Sequence, residues 1–274
     1  MLKKLFRQEW IAITKVLLPV NLLLIAITLL GSIVLRFFPA DSDSLFVQTL
    51  SMSALMLYFV ALIAVTCAAY IFVIVRFYKT MYSDEGYLTH TLPVSVHTLI
   101  VGKGLAATIW LCITYLMLAA SVLLLVFTQA NPAELNIIYG ELLNEIAKFN
   151  QISPTPFSVF LWFIPIMLIV NAVYTFLNLS ASLAIGQLFT KHKIIGSILA
   201  FCGIYAITQI ISIVLLSFTG YFGFLTSGSD FSSVEEIVGY IQLSFASSIG
   251  ISLLLCVIFY LVTWKLTDKK LNLD

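Results

Sequence analysis

The sequence predicts an all-α integral membrane protein in which residues 1–274 form a single transmembrane domain. Three observations support this fold class. Hydrophobic residues make up 61% of the chain and charged residues only 10%, whereas a soluble domain carries about a quarter charged residues. The mean hydropathy of +1.07 is typical of a chain that lies mostly in lipid. The apolar runs are long and lack period-two alternation, so they predict helices rather than the strands of a barrel.

Residues 1–15 are predicted to form an amphipathic helix on the inner membrane surface. Their apolar residues recur at helical spacing with charged residues between them. These residues are Leu2, Leu5, Phe6, Trp10 and Ile13. A basic topology signal is an alternative that is compatible with the helix.

Six apolar runs are long enough to cross a hydrocarbon core, which takes about 20 helical residues. They occupy residues 16–35, 52–75, 104–127, 157–185, 194–218 and 241–264. The first run exceeds the roughly 7–15 apolar residues of a signal peptide and lacks a small-residue cleavage site. We therefore expect it to remain in the protein as the first span.

Lysine and arginine are distributed unequally between the two sides of the predicted bundle. If the amino terminus is inside, all of the 14 basic residues except Arg36 and Lys148 fall in inner segments. Basic residues are retained on the cytoplasmic side of a membrane. We therefore expect a multi-pass protein of the plasma membrane with both termini in the cytoplasm.

The inner segment between spans two and three is predicted to contain a short helix held crosswise beneath the membrane. Ser83 followed by Asp84 and Glu85 favours a helix start, because acidic side chains stabilise the amino-terminal end of the helix dipole. Pro93 ends this helix, since the residue before a proline is disfavoured in the α conformation. Ser95 then caps the helix that leads into span three. An ordinary connecting loop fits the periodicity equally well.

The outer segment between spans three and four is predicted to form a helix that begins at Pro132. Asn131 suits the capping position and proline suits the first helical position. The apolar residues that follow at steps of three and four form one stripe, which we expect to lie against the outer leaflet or the top of the bundle. They are Leu135, Ile138, Leu142, Ile146 and Phe149. A structural lid or spacer is the expected role.

No motif of an enzyme active site occurs in the sequence. The Gly102-Lys103 pair lacks the Ser or Thr and the leading Gly of a phosphate-binding loop, and the three histidines form no HExxH pattern. The cysteines lie singly in apolar runs, without metal-ligand spacing. They are Cys67, Cys112, Cys202 and Cys256. We expect no catalytic residue, no metal and no cofactor in this chain, and the net charge of +1 gives no reason to expect a nucleic-acid partner.

The predicted spans contain no Asp, Glu, Lys, Arg or His. Ion-coupled and proton-coupled transporters usually keep such a residue at membrane depth, so we expect any energy to come from outside the bundle. Span four does carry uncharged polar residues on one helical face, at steps of three and four. They are Asn171, Tyr174, Asn178 and Ser182. This face predicts either helix packing or a substrate path.

The segment between spans two and three resembles the cytoplasmic loop of type-2 ABC exporter permeases. The matching elements are an acidic helix start, a TLPVS-like turn and a Leu-rich stretch that ends in lysine. They are Asp84-Glu85-Gly86, Thr91-Leu92-Pro93-Val94-Ser95 and Leu99-Ile100-Val101-Gly102-Lys103. The amino-terminal helix, the six spans and the inner termini are similar as well. In that family the loop helix is the coupling helix, which docks on a separate ATP-hydrolysing subunit.

The resemblance implies a permease that exports a peptide, drug or lipid-like substrate and uses a cytoplasmic ABC ATPase subunit. The implied coupling residues are Ser83, Asp84, Glu85, Gly86, Tyr87 and Leu88. ATP and magnesium would bind in the ATPase, and a second permease subunit would complete a homodimer or heterodimer in membrane lipid. The outer loop 129–156 is longer than a minimal member of the family needs. The alternatives are a gradient-driven secondary transporter or channel, which a buried carboxylate would favour, and a non-transporting membrane scaffold or immunity protein.

Overall fold

The computed structural model describes residues 2–38, 44–83, 85–86, 89, 91, 94–129, 132–152, 156–189, 192–227 and 234–269. Seven helices account for most of these residues, and the described part of the chain contains no strand. The helices are α1 (Leu2–Phe37), α2 (Leu45–Tyr82), α3 (Val96–Gln129), α4 (Pro132–Ile152), α5 (Phe157–Gly186), α6 (Lys193–Ser227) and α7 (Val234–Lys269). The predicted all-α class is confirmed.

Six of the helices are long and apolar enough to cross a membrane, as the sequence predicts, and α4 is the helix outside this set. Most of them extend beyond the predicted spans. The second predicted span, 52–75, lies inside α2, which runs from Leu45 to Tyr82. Hydropathy marks only the part of a helix that suits lipid, whereas the backbone hydrogen bonds of the helix continue into the polar boundary.

The amino-terminal segment and the first span belong to one helix. α1 runs without a break from Leu2 to Phe37 and contains Pro19. A proline inside a helix removes one backbone hydrogen bond, which membrane helices tolerate when neighbouring groups replace it. The predicted helix at residues 1–15 is therefore present, but it is continuous with the first span.

The chain divides into two compact units. The first contains residues 1–77 and 101–138, and the second contains residues 78–100 and 139–274. In the first unit, the rings of Trp10 in α1 and Trp110 in α3 pack with their centroids 5.3 Å apart. The Asn21 side-chain amide in α1 donates a hydrogen bond to Thr114 Oγ1 in α3 at 3.2 Å. An aromatic contact and a polar contact therefore join the same two helices.

In the second unit, α5 packs against α6 and α7. The carboxyl-terminal third of α5 is buried, and Ser182 there has no exposed surface. A methyl group added at Gly186 would lie 2.6 Å from the backbone N and Cα of Ser197 in α6. Only a residue without a Cβ allows two helices to approach so closely, and this is the common use of small residues between membrane helices.

Gly186→Ala is expected to lower the thermal unfolding midpoint of the purified chain in detergent, because the added methyl group overlaps the backbone of α6. Overpacking of this kind costs about 1–3 kcal/mol. Gly203→Ala is the control, since an added Cβ there meets no atom within 4 Å and alanine favours a helix by up to about 1 kcal/mol over glycine. Loss of helical circular dichroism measures both midpoints. A midpoint of Gly186→Ala at or above that of the wild type would contradict the close approach.

Candidate functional site

The residues 83–95, here called the connector, join α2 to α3 and contain the predicted coupling residues. Of these, the structure describes Ser83, Glu85 and Gly86, whereas Asp84, Tyr87 and Leu88 lie outside the described residues. Glu85, Gly86 and Thr89 have helical backbone. The Gly86 N–H donates a hydrogen bond to the Ser83 carbonyl oxygen at 2.6 Å, and the Thr89 hydroxyl donates one to the Glu85 carbonyl oxygen at 2.9 Å. A helical turn therefore follows Ser83.

Gly86 lies against the end of α2 with no room for a side chain. A Cβ added there would lie 2.7 Å from the carbonyl carbon and oxygen of Met81, whose own side chain is fully buried. Because backbone atoms cannot move aside as a flexible side chain can, glycine is required at this position. The neighbouring Glu85 is exposed. The start of the connector thus folds back on α2 and presents an acidic residue at the surface.

The end of α2 is anchored to the last helix of the same unit. Tyr82 is buried, and its hydroxyl lies 2.9 Å from Thr267 Oγ1 in α7. Thr267 is buried as well. Each of these buried hydroxyl groups has the other as its hydrogen-bond partner, and this contact fixes the position of α2 along α7. The residue before the connector is therefore held in place.

The start of α3 is anchored to the same helix. Ser95 caps α3, since its Oγ accepts a hydrogen bond from the Thr98 N–H at 3.4 Å. His97 Nδ1 and the Tyr260 hydroxyl of α7 form a hydrogen bond, and the two rings meet edge to face with centroids 5.8 Å apart. Tyr260 and Thr267 are seven residues apart, so they lie on one face of α7 and about 10 Å apart along its axis. One face of α7 therefore holds both flanks of the connector.

The predicted polar face of α5 divides into exposed and buried parts. Asn171 is exposed, whereas Asn178 and Ser182 are buried. The Ser182 hydroxyl donates to the Asn178 carbonyl oxygen at 2.8 Å, and the Tyr174 ring packs 5.8 Å from that of Phe259 in α7. Tyr174 therefore packs against α7, Asn178 and Ser182 are buried, and Asn171 is the member of this face that lies at the surface.

A buried ion-pair cluster joins three helices of the first unit. Glu9 in α1 is 4% exposed. Its Oε1 lies 2.8 Å from Lys103 Nζ in α3, and its Oε2 lies 3.1 Å from Arg76 Nε in α2. Lys103 is buried too, whereas Arg76 is partly exposed. A buried carboxylate requires cationic partners of this kind, because its desolvation is otherwise too costly.

This cluster was not predicted from the sequence, because the charged residues among residues 1–15, including Glu9, fit the polar face of an interfacial helix. The periodicity did contain a signal. Glu9 follows Leu5 by four residues and precedes Ile13 by four, so it lies on the apolar stripe of the helix. An acidic residue in an apolar stripe indicates a buried partner. The predicted spans do lack a carboxylate, but Glu9, which precedes the first of them in the same helix, is a buried carboxylate that was not identified from the sequence.

Among the described residues, no three His, Cys, Asp or Glu side chains are grouped so that they could hold a metal ion. Comparison of the chain with protein-family models, with curated proteins and with solved structures finds no match. The six long apolar helices and the composition are compatible with a multi-pass membrane protein.

Glu9→Gln is expected to destabilise the purified chain by about 3–5 kcal/mol, because it removes the anion that pairs with a buried lysine. Glu145→Gln is the matched control. Glu145 pairs with Lys148 at 2.7 Å, but both side chains are well exposed, so its loss should cost at most about 1 kcal/mol. Unfolding midpoints in detergent measure both effects. Equal shifts for the two variants would show that the Glu9 cluster is not buried in the folded protein.

Proposed function

We propose that this chain is the transmembrane permease subunit of an ABC exporter. In this proposal it moves a peptide, drug or lipid-like substrate across the plasma membrane together with a second permease subunit. A separate cytoplasmic ATPase subunit binds ATP and magnesium and docks on the connector. The observation that carries the proposal is the connector itself, which presents exposed Glu85 while both of its flanks are anchored to α7.

A coupling element needs a surface for a partner and a stiff attachment to the helices it moves. The connector has both properties. Glu85 is exposed beside Gly86, which is pressed against α2. Tyr82 and His97 tie the two flanks to α7. A force applied at the connector would therefore reach α7 through short, directional hydrogen bonds rather than through a loose loop.

The charge distribution supports a cytoplasmic connector. Twelve of the 14 basic residues lie on the connector side of the predicted topology. The other two, Arg36 and Lys148, lie on the opposite side. ATP is available on that side of a plasma membrane. The sequence of this chain lacks a phosphate-binding loop, so the nucleotide would have to bind in a partner.

The gradient-driven alternative has one observation in its favour, which is the buried carboxylate of Glu9. A carboxylate buried near a membrane can carry a proton. Its contacts with Lys103 and Arg76 favour a structural role instead, since they join α1 to α2 and α3 through a buried ion-pair cluster. Co-purification of an ATPase with the tagged chain would support the exporter over this transporter and over a non-transporting scaffold or immunity protein.

Glu85→Lys is expected to reduce the amount of ATPase that co-purifies with the tagged chain by about tenfold, which corresponds to roughly 1.4 kcal/mol of binding free energy. The reversal places a cation in the first turn of the connector helix, where it opposes the helix dipole by about 0.3–1 kcal/mol. That loss is too small to unfold six membrane helices, so expression and membrane insertion should persist. Quantitative immunoblotting of both subunits after purification from native membranes measures the ratio.

Glu141→Lys is the matched control for this variant. Glu141 is an exposed acidic residue in α4, which the topology places on the opposite side of the membrane. The same charge reversal there should leave the ATPase ratio unchanged. If Glu85→Lys retains the wild-type ratio and transport, the connector is not the docking element, and the proposal loses its main support.

The topology makes a separate prediction about chemical labelling. In a variant without the four native cysteines, Glu141→Cys should react with a membrane-impermeant maleimide in intact cells. Thr91→Cys and His192→Cys, both at exposed positions, should react only after permeabilisation, because the basic residues keep their side in the cytoplasm. Labelling of Thr91→Cys in intact cells would mean that the orientation is reversed.

A further inference from the structure

Much of the apolar face of α4 is left uncovered by the described part of the chain. Tyr139, Leu142 and Leu143 are 65%, 52% and 46% exposed, and Ile146 and Phe149 continue the face towards the end of the helix. Glu141, Glu145 and Lys148 flank this face along one side of the helix, and all three are exposed. An amphipathic helix with half of its surface apolar needs an apolar partner.

We propose that this face of α4 lies on the lipid bilayer, at the boundary between headgroups and acyl chains of the leaflet opposite the connector. The occupant is lipid, and neither a second copy of the chain nor water covers the face. This inference depends on α3 and α5 crossing the membrane and does not depend on an ATPase partner.

The carboxyl-terminal end of α4 is fixed to the first turn of α5. The Phe149 ring meets the rings of Phe157 and Phe160 edge to face, with centroids 5.8 and 5.3 Å apart. The Phe157 N–H donates a hydrogen bond to Asn150 Oδ1 at 2.7 Å. α5 is a helix that can cross a membrane, so its first turn lies at the membrane boundary. Because Phe149 belongs to the apolar face, that face is directed towards the boundary.

The length of α4 requires the helix to lie along the membrane surface. Its 21 residues span about 31 Å. Only residues 130–131 separate its amino-terminal end from α3, and two residues reach at most about 7 Å. The other end is held at α5. Both ends of α4 therefore stay near the membrane boundary. If the helix axis were parallel to the membrane normal, one end would lie far from that boundary.

The charges of α4 favour neutral lipid over anionic lipid. The helix contains Glu134, Glu141 and Glu145 against Lys148. Lys148 donates a hydrogen bond to Glu145 at 2.7 Å, and this contact raises the pKa of Lys148. The contact therefore favours the charged ammonium group of Lys148 on the charged side of the helix. Apolar burial, rather than attraction to anionic headgroups, holds the helix on the membrane.

The test uses the full chain in phosphatidylcholine nanodiscs, with the four native cysteines replaced by alanine and one cysteine carrying an environment-sensitive fluorophore. Leu142→Cys places the probe on the apolar face, and Glu141→Cys places it one residue away on the polar face. We expect the emission of the fluorophore at position 142 to be shifted to the blue, and to be quenched by spin-labelled lipid but not by aqueous iodide. The fluorophore at position 141 should lack the blue shift, and aqueous iodide rather than spin-labelled lipid should quench it. Leu143→Cys provides a second apolar position in case the first variant does not fold.

Three outcomes would overturn the proposal. Equal quenching of both probes by iodide would mean that water covers the face, as in a lid over an aqueous opening. An apolar-face probe shielded from both quenchers would mean that protein covers it, and a second copy would be indicated if adding unlabelled chain increased the shielding. Stronger lipid quenching after half of the phosphatidylcholine is replaced by phosphatidylglycerol would show that anionic headgroups, and not neutral lipid, hold the helix.

Discussion

Membrane helices gain little from burying apolar side chains against one another, because acyl chains are equally apolar. Contacts between the helices of this protein therefore depend on close backbone approach and on paired polar groups. The first unit uses the carboxylate of Glu9 and the amide of Asn21. The second unit uses Gly186 and the hydroxyl pair of Ser180 and Thr263, whose Oγ atoms are 3.3 Å apart. A small number of polar and small residues thus decides which helices are neighbours.

The class of fold and the number of long apolar helices could be predicted because they follow from composition and run length. Helix ends could not, since helical hydrogen bonding continues where hydropathy falls, as it does at both ends of α2. The continuity of α1 was missed for a related reason. Charged residues at its start suggested a separate surface element, whereas Glu9 has partners in α2 and α3 that allow its burial. The position of Glu9 on the apolar stripe indicates a buried partner, but Arg76 and Lys103 are distant in sequence, so the stripe does not identify them.

The connector, too, contains some features that could be predicted from the sequence and others that could not. Ser83, Glu85 and Ser95 could be identified from the chemistry of helix starts, because capping depends on adjacent residues. The anchoring of its flanks to Tyr260 and Thr267 could not be predicted, since both partners lie in the last helix. Gly86 is an intermediate case. The resemblance drew attention to it, but only the contact with Met81 explains why it has to be glycine.

The Glu9 cluster also has a consequence for biosynthesis. A chain is made from its amino terminus, and Glu9 precedes Arg76 by 67 residues and Lys103 by 94. When residues 1–15 leave the ribosome, neither of these cations exists yet. The carboxylate of Glu9 can therefore gain its first cationic partner only once α2 has been made, and its buried partner only once Lys103 has been made. The ion pairs that hold the start of α1 against α2 and α3 are complete only after more than a third of the chain has been synthesised.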